Sequence, residues 1–287
     1  MLNRYLLLIA FFLPVCGAFA QQQPVSKPER TTYAIKGNDT LWFERYSPRV
    51  QPNGISVLFV HGGAFTGGDP ANQHPMGNGL AALGYNVFVI KYRLYLKGKS
   101  FGCTTPTGEK LKAIRYAVED AMDATAYLAN HAGELGVDTS RLFISGSSAG
   151  AEAILNVVYN PFAANRFHYA GLMSFAGAIV DMNKVTKENW IPALLMHGTR
   201  DQLVPFGTAA HRFCRATDEG WLMLSGSGSV FEFAKSNKLP AALYTYEGGG
   251  HEVSNYMFKR FEEMDAFMKQ AVSGKRMNAK EIRKPKG

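Results

Sequence analysis

Short apolar runs alternate along most of the chain with longer segments whose apolar residues recur at helical spacing. Eight runs have the length and composition of strands: Thr31–Ile35, Leu41–Tyr46, Ile55–Val60, Val87–Ile90, Leu142–Ser145, Ala170–Phe175, Ala193–Met196 and Ala241–Tyr246. Four segments predict helices: Asn72–Leu83, Gly108–Asn130, Ala149–Tyr159 and Tyr256–Ala271. Largely apolar strands alternating with helices predict an α/β fold, with a mainly parallel eight-stranded sheet and helices on both faces.

The first twenty residues have the pattern of a secretory signal peptide. Arg4 precedes an apolar run that is too short to span a bilayer, which takes about 20 residues. Ala18 and Ala20 then stand at the spacing of a cleavage site. The sequence therefore predicts cleavage after Ala20 and export to the periplasm or the extracellular space. A retained anchor and a lipid anchor at Cys16 are the alternatives.

The rest of the chain divides by composition into a linker, one domain and a tail. Residues 21–30 are rich in Gln and Pro and predict a linker. Residues 31–272 hold all the predicted strands and helices, with no internal repeat, and predict a single domain. Within it, the irregular segment Pro205–Leu239 predicts a loop and helix inserted over one end of the sheet. Residues 273–287 predict a basic, flexible tail.

The net charge of +8 is concentrated at the two ends of the chain. The predicted signal peptide carries one positive charge and residues 273–287 carry a net charge of five, which leaves about two for the domain. Because the excess belongs to a tail rather than to the domain, the charge does not indicate a nucleic-acid partner.

Ser148 lies at the centre of Gly146-Ser147-Ser148-Ala149-Gly150, just after a predicted strand. A Gly-x-Ser-x-Gly pattern at a strand end is typical of a nucleophile elbow, a tight strand-to-helix turn that lifts a serine hydroxyl above the sheet. A serine hydroxyl is a poor nucleophile until a base removes its proton. The interpretation therefore depends on a base, an acid and an oxyanion-binding loop at other strand ends.

Two other strand ends supply a base and an acid. His251 follows the last predicted strand in a glycine-rich loop, and an imidazole can accept and return a proton near neutral pH. Asp201 follows the preceding strand, where a buried carboxylate would orient the imidazole and stabilise its cation. Asp181 is the alternative acid. Carboxyl ends of parallel strands lie at one edge of a sheet, so these side chains are expected to meet.

A glycine-rich loop after the third predicted strand supplies the candidate oxyanion site. Its sequence is His61-Gly62-Gly63-Ala64. The backbone N–H groups of Gly62 and Gly63, with that of Ala149, are the predicted donors to a developing oxyanion. Which of Gly62, Gly63 and Ala64 donates stays open. His61 is expected to order this loop by hydrogen bonding rather than to transfer protons.

These motifs together resemble the carboxylesterase and lipase branch of the α/β-hydrolase superfamily, which uses the chain order serine, acid, histidine. The motifs that carry the resemblance are His61-Gly62-Gly63, Gly146-Ser147-Ser148-Ala149-Gly150, His197-Gly198-Thr199-Arg200-Asp201 and Gly249-Gly250-His251. Over about residues 31–271 the chain is similar to hormone-sensitive-lipase-like and feruloyl-esterase-like esterases. Ala64 and Ala151 stand where many relatives have glycine. The short interval from Ser148 to Asp201 leaves no room for a large cap domain.

The resemblance implies a serine carboxylesterase that works through an acyl-enzyme, with acetyl or feruloyl esters of carbohydrates as candidate substrates. The expected partner is a small-molecule or carbohydrate ester, without nucleic acid and without stable membrane insertion. No metal or organic cofactor is expected, because the histidines lack metal-ligand spacing and no phosphate-binding fingerprint is present. The candidate lining of the substrate pocket is aromatic: Phe65, Tyr95, Phe101, Phe206 and Trp221.

Two other functions are compatible with these motifs. The segment His197–Asp201 also resembles the catalytic domain of prolyl-type serine peptidases, although the chain lacks the length for their additional domain. A non-catalytic binding protein on a hydrolase scaffold is the second alternative, but such proteins usually lose residues of the triad.

Cys103 and Cys214 are the two cysteines left after removal of the predicted signal peptide. An oxidising compartment allows one disulfide between them. Their loops are expected at the same end of the sheet, so a disulfide that ties the insertion over the pocket is our hypothesis.

Overall fold

The computed structural model describes residues 27–159 and 167–286. The predicted signal peptide and residues 21–26 of the predicted linker lie outside the described residues. Within the described segments, no helix combines the length and the apolar character that a bilayer span requires.

The described chain alternates strands and helices, as the apolar pattern predicts. The strands are β1 Glu29–Lys36, β2 Asp39–Tyr46, β3 Ser56–Val60, β4 Asn86–Ile90, β5 Leu142–Ser147, β6 Gly171–Phe175, β7 Ala178–Ile179, β8 Ala193–Gly198, β9 Thr208–Ala210, β10 Met223–Gly226, β11 Ala241–Glu247 and β12 Lys280–Pro285. The α-helices are α1 His74–Ala81, α2 Thr107–Asn130, α3 Ala132–Leu135, α4 Ala149–Tyr159, α5 Ser227–Ser236 and α6 Phe261–Val272.

Nine of these strands form one sheet, in the order β1-β2-β4-β3-β5-β6-β8-β11-β12. The β1–β2 and β2–β4 pairs are antiparallel, and the pairs from β4 to β12 are parallel. The predicted α/β class and the mainly parallel sheet are confirmed. The predicted count of eight strands is wrong by one, because β12 adds a ninth. Strands β7, β10 and β9 form a second, small sheet.

Both faces of the sheet are buried, which explains why its central strands are largely apolar. In β3, Leu58 and Val60 pack into the core beneath α2, α4 and α5. Val57 and Phe59 point the opposite way, into the core beneath α1 and α6. Side chains alternate across a strand, so a strand covered on both sides has no polar position to offer to water.

Two predicted helices begin later than the sequence pattern suggests. The segment predicted from Asn72 starts as a short 3₁₀ turn, and α1 begins at His74 with Pro75 in its first turn. Proline has no N–H to donate, so it fits the first turn of a helix and not the interior. The segment predicted from Tyr256 is a 3₁₀ stretch to Phe258, and α6 begins at Phe261.

The C-terminal segment is not the flexible tail that its charge predicts. Lys280–Pro285 forms β12 and pairs in parallel with β11 along the edge of the sheet. Arg283 bonds Glu247 at 2.8 Å, and Lys284 bonds Glu263 at 2.8 Å. These two basic residues are therefore paired with carboxylates of the domain. At the other end, β1 begins at Glu29, two residues inside the predicted linker.

The insertion after β8 contains β9, β10 and α5, and a disulfide ties it to the loop after β4. Cys103 and Cys214 are bonded, with their Cα atoms 5.3 Å apart. The backbone N–H of Gly220 also donates to the carbonyl of Cys103 at 2.9 Å. The insertion is thus held against the loop that precedes α2.

We expect the Cys103→Ser/Cys214→Ser double variant to lose about 4 kcal/mol of unfolding free energy, because the cross-link closes a loop with a sequence separation of 111. Urea denaturation of the variant and of the wild type measures the difference. Wild type in reductant is the control and should match the variant. Equal midpoints in all three samples would contradict the prediction.

Candidate active site

Four loops at the carboxyl ends of parallel strands converge on one cleft of about 440 Å³. They follow β3, β5, β8 and β11, and in the sheet order β5 lies next to β3, while β8 lies next to β11. Parallel strands bring these ends to a common edge, where their loops can meet over the sheet.

Ser148 occupies a sharp turn between β5 and α4. Its φ angle is 53°, in the left-handed region that a non-glycine residue rarely adopts. Its N–H donates to the carbonyl of Phe175 at 2.8 Å, and its own carbonyl accepts from the N–H of Glu152 at 2.9 Å. A Cβ on Gly150 would overlap the backbone of β3, so this turn needs glycine there. The local sequence therefore holds the serine in a strained conformation beside the cleft.

Ser148, His251 and Asp201 form a continuous hydrogen-bonded chain. Ser148 Oγ donates to His251 Nε2 at 2.7 Å, and His251 Nδ1 donates to Asp201 Oδ2 at 2.8 Å. With Nδ1 protonated by this contact, Nε2 is free to accept the serine proton. The arrangement can therefore generate a nucleophilic alkoxide and stabilise the imidazolium that results.

Asp201 is buried and fully hydrogen-bonded. Its Oδ1 accepts from the N–H groups of Leu203 at 2.8 Å and Val204 at 3.0 Å, and His197 Nε2 lies 3.3 Å from Oδ2. Burial alone would raise the pKa of Asp201, but the hydrogen bonds from His197 and His251 outweigh burial and hold that pKa well below its usual range. Asp201 is therefore ionised at any pH at which the protein would work.

Asp181, the alternative acid, takes a different position. It precedes a short 3₁₀ helix and accepts from the N–H of Asn183 at 3.0 Å. This is an ordinary capping contact. The structure therefore places Asp201, and not Asp181, next to the histidine.

The loop after β3 presents its backbone to the same cleft. Gly62, Gly63 and Ala64 line the cleft beside Ser148 and Ala149. Ala149 is the first residue of α4, where a backbone N–H has no acceptor within the helix. Gly63 has a φ of 121°, and a Cβ there would overlap the backbone of Gly67. These positions are suited to holding an oxyanion opposite Ser148.

His61 supports the loop from below. Its Nδ1 donates to the carbonyl of Gly62 at 2.7 Å, and its ring stacks on Tyr92 with centroids 4.5 Å apart. Burial lowers the pKa of His61 to about 4, so the ring is neutral at ordinary pH. These contacts match a structural role in ordering the loop.

Polar side chains, rather than the predicted aromatic ones, make up much of the cleft. Of the five aromatic residues predicted to line it, Phe101 does so, and Phe65 is fully buried in the core. Polar side chains that line it and that were not predicted from the sequence include those of Asn72, Gln73, Glu152, His211, Arg212, Ser254 and Asn255. Glu152 had a detectable signal, because it follows Ser148 by one helical turn and thus shares its face of α4.

One group of side chains has the proximity of a metal site: Cys103, Cys214 and Asp218. The two cysteines are bonded to each other and have no thiolate to offer, so this cluster does not fit a metal. It is the only such group in the part of the chain that the structure describes.

Comparison with known sequences agrees with this architecture. The BD-FAE family model matches residues 45–162. Fumonisin B1 esterase of Sphingopyxis macrogoltabida is 30% identical over 152 residues, which is 51% of this chain and 28% of the relative. Human carboxylesterase 3 is 29% identical over 156 residues, which is 53% of this chain and 26% of the relative. The chain thus spans about a quarter of the length of these curated relatives.

Comparison with solved structures covers nearly the whole fold. Apo esterase 2 of Thermogutta terrifontis aligns with a TM-score of 0.63 at 19% identity, covering 88% of this chain and 97% of that one. At this identity the match concerns the fold. Together, the sheet topology and the structural neighbours show an α/β-hydrolase fold, and the matched family model and relatives show that the chain is similar to carboxylesterases and lipases.

Proposed function

We propose that the protein is an exported serine esterase that hydrolyses carboxylic esters through an acyl-enzyme. The observation that carries this proposal is the hydrogen-bonded chain from Ser148 through His251 to Asp201 at the edge of the cleft. Esterases among the sequence relatives and the structural neighbours support the same reaction class.

In the proposed mechanism, His251 removes the proton from Ser148 as the serine oxygen attacks the ester carbonyl. The backbone N–H groups near Gly62, Gly63 and Ala149 stabilise the resulting oxyanion, each such donor typically contributing about 3 kcal/mol in the transition state. His251 then gives its proton to the leaving alcohol, and the acyl group stays on Ser148. Water, deprotonated by His251, repeats the sequence and releases the acid.

Export has one structural support. The bond between Cys103 and Cys214 fits an oxidising compartment, since such bonds are rare in the cytosol. Removal of the predicted signal peptide would give a mature protein that begins at Gln21, which N-terminal sequencing of the exported protein can check.

Acetyl or feruloyl esters of carbohydrates are the substrates that we propose within this class. The cleft supports a hydroxyl-rich substrate better than a long alkyl chain, because Asn72, Gln73 and Asn255 offer amide groups along its lining. Carbohydrates bind through many such hydrogen bonds, whereas an alkyl chain would leave these groups without partners.

An activity panel tests the reaction class. We expect hydrolysis of p-nitrophenyl acetate, methyl ferulate and acetylated xylan, and little turnover of p-nitrophenyl laurate or of aminoacyl-proline amides. A Ser-His-Asp triad can cleave both esters and amides, so turnover of the amide substrates is what distinguishes a prolyl-type peptidase from an esterase. Cleavage of the amides without the esters would overturn the proposal, and so would the absence of all turnover.

A further inference from the structure

Arg212 lies in the same cleft as Ser148, and no carboxylate of the described residues pairs with its guanidinium. It contributes to the cleft lining, and its Nε atom is buried without a hydrogen-bond partner. Across residues 27–159 and 167–286, no carboxylate lies within ion-pair distance of it. A partly buried guanidinium without a counter-charge is costly, so this arrangement points to a ligand that supplies one.

The backbone at Arg212 is strained and is held in place by several contacts. Arg212 has φ 54° and ψ 19°, and Phe213 has φ 53°, so two successive non-glycine residues are left-handed. The N–H of Arg212 donates to the carbonyl of Leu203 at 3.1 Å, and Cys214 is bonded to Cys103. Strain of this kind persists only where the surroundings impose it, and it concentrates at functional sites.

Glu152 lines the same cleft as Arg212, but its carboxyl group does not form an ion pair with the guanidinium. Glu152 is 1% exposed, and neither carboxyl oxygen has a hydrogen-bond partner in the described chain. Burial raises the pKa of Glu152 to about 8, although the charges of Arg212 and Lys110 lower it. The raised pKa favours the neutral acid, and since neither oxygen of Glu152 bonds Arg212, the positive charge of Arg212 stays uncompensated in the cleft.

Lys110, the other cation near Glu152, already has hydrogen-bond partners of its own. Its Nζ donates to the carbonyl of Gly220 at 2.5 Å and lies 3.3 Å from His211 Nδ1. Burial and the neighbouring cations lower the pKa of His211 to about 3, so His211 is neutral. Arg212 is thus the positive group that this side of the cleft offers to a substrate.

We propose that Arg212 determines specificity by binding a carboxylate group carried by the ester substrate. The proposal rests on the esterase function proposed above. A guanidinium binds a carboxylate through two parallel hydrogen bonds, whereas a hydroxyl accepts fewer and brings no charge. The substrate class is therefore an ester with a free acid close to the scissile bond. An acylated acidic sugar meets this requirement and the carbohydrate preference together.

Matched pairs of small esters test this proposal. Acetoxyacetate and ethyl acetate differ by a carboxylate in place of a methyl group on the alcohol side. Monoethyl succinate and ethyl butyrate differ in the same way on the acyl side. Ethylene glycol monoacetate offers a neutral hydroxyl instead.

We expect the wild type to prefer the charged member of at least one pair, and Arg212→Met to lower kcat/KM for that ester by about 10- to 100-fold, chiefly through KM. The same variant should change kcat/KM for the neutral partner by less than about threefold, because the triad is intact. Arg212→Lys keeps the charge and should recover part of the loss. Arg115→Met, an exposed arginine on α2, is the matched control and should change neither ester.

Three results would overturn the proposal. The wild type could show no preference for the charged ester, or Arg212→Met could lower kcat/KM equally for both members of a pair. The third is that Arg212→Met lowers kcat/KM for the glycol monoacetate and not for the charged ester. Thermal melting of each variant separates loss of binding from loss of folding. If the wild type hydrolysed no ester at all, the proposed function would fail. Binding of acetoxyacetate to Ser148→Ala, followed by NMR, would still decide the role of Arg212. A tenfold weaker Kd in Ser148→Ala/Arg212→Met supports that role, and an unchanged Kd overturns it.

Discussion

Replacing Ser148 by alanine is expected to lower kcat for p-nitrophenyl acetate by about 10⁵- to 10⁶-fold. The variant loses the only atom that the mechanism lets attack the carbonyl, while the cleft and the oxyanion loop remain. KM should change much less, because the substrate is bound by groups that the substitution leaves in place. Steady-state kinetics of the purified variant measures both quantities.

The neighbouring serine of the same turn is the matched control. Ser147 Oγ donates to the carbonyl of Ser254 at 2.9 Å. Ser147→Ala therefore removes one buried hydrogen bond, which costs about 1 kcal/mol of stability, and should leave kcat within about tenfold of the wild type. If Ser147→Ala abolished activity and Ser148→Ala kept it, the nucleophile would be misassigned.

The second large effect is expected for Asp201→Asn, which should lower kcat by about 10⁴-fold. The asparagine amide would donate toward His251 Nδ1, which now donates to the carboxylate at 2.8 Å. The imidazole would then carry its proton on Nε2 and could not accept the proton of Ser148. Steady-state kinetics, together with circular dichroism to show that the fold persists, measures the effect.

Asp181→Asn is the control for this substitution, because Asp181 is the other aspartate that the sequence offered for the role. Its carboxylate caps a short 3₁₀ helix, and an asparagine side chain can make the same capping contact. We expect its kcat to stay within about twofold of the wild type. Similar losses in both variants would mean that neither carboxylate acts through His251.

The parallel sheet could be predicted from sequence because its signal is local. Strands such as β3 and β8 are buried at every position, so each reads as a short apolar run. The edge strand β12 could not be predicted in this way. Its sequence, Lys280 to Pro285, is mostly charged. Backbone hydrogen bonds to β11 and ion pairs hold this strand in place, and such contacts leave no apolar pattern in the sequence.

The candidate triad could be predicted because each member follows a recognisable strand. Parallel strands of one sheet bring the loops that follow them to the same edge. The polar side of the cleft could not. Arg212 reaches the cleft through an insertion whose path depends on left-handed backbone and on the link to Cys103. Neither feature leaves a periodic pattern in the sequence, which indicates the aromatic residues of the loops as cleft lining instead.

Mass spectrometry of the acid-quenched enzyme during turnover of p-nitrophenyl acetate shows whether Ser148 carries the acyl group. We expect one acetyl group per chain, located by peptide mapping on Ser148, formed in a burst and lost on standing. The Ser148→Ala variant should carry none. An acetyl group on another residue, or full turnover with no acetylated protein at any quench time, would contradict a mechanism in which Ser148 is the nucleophile.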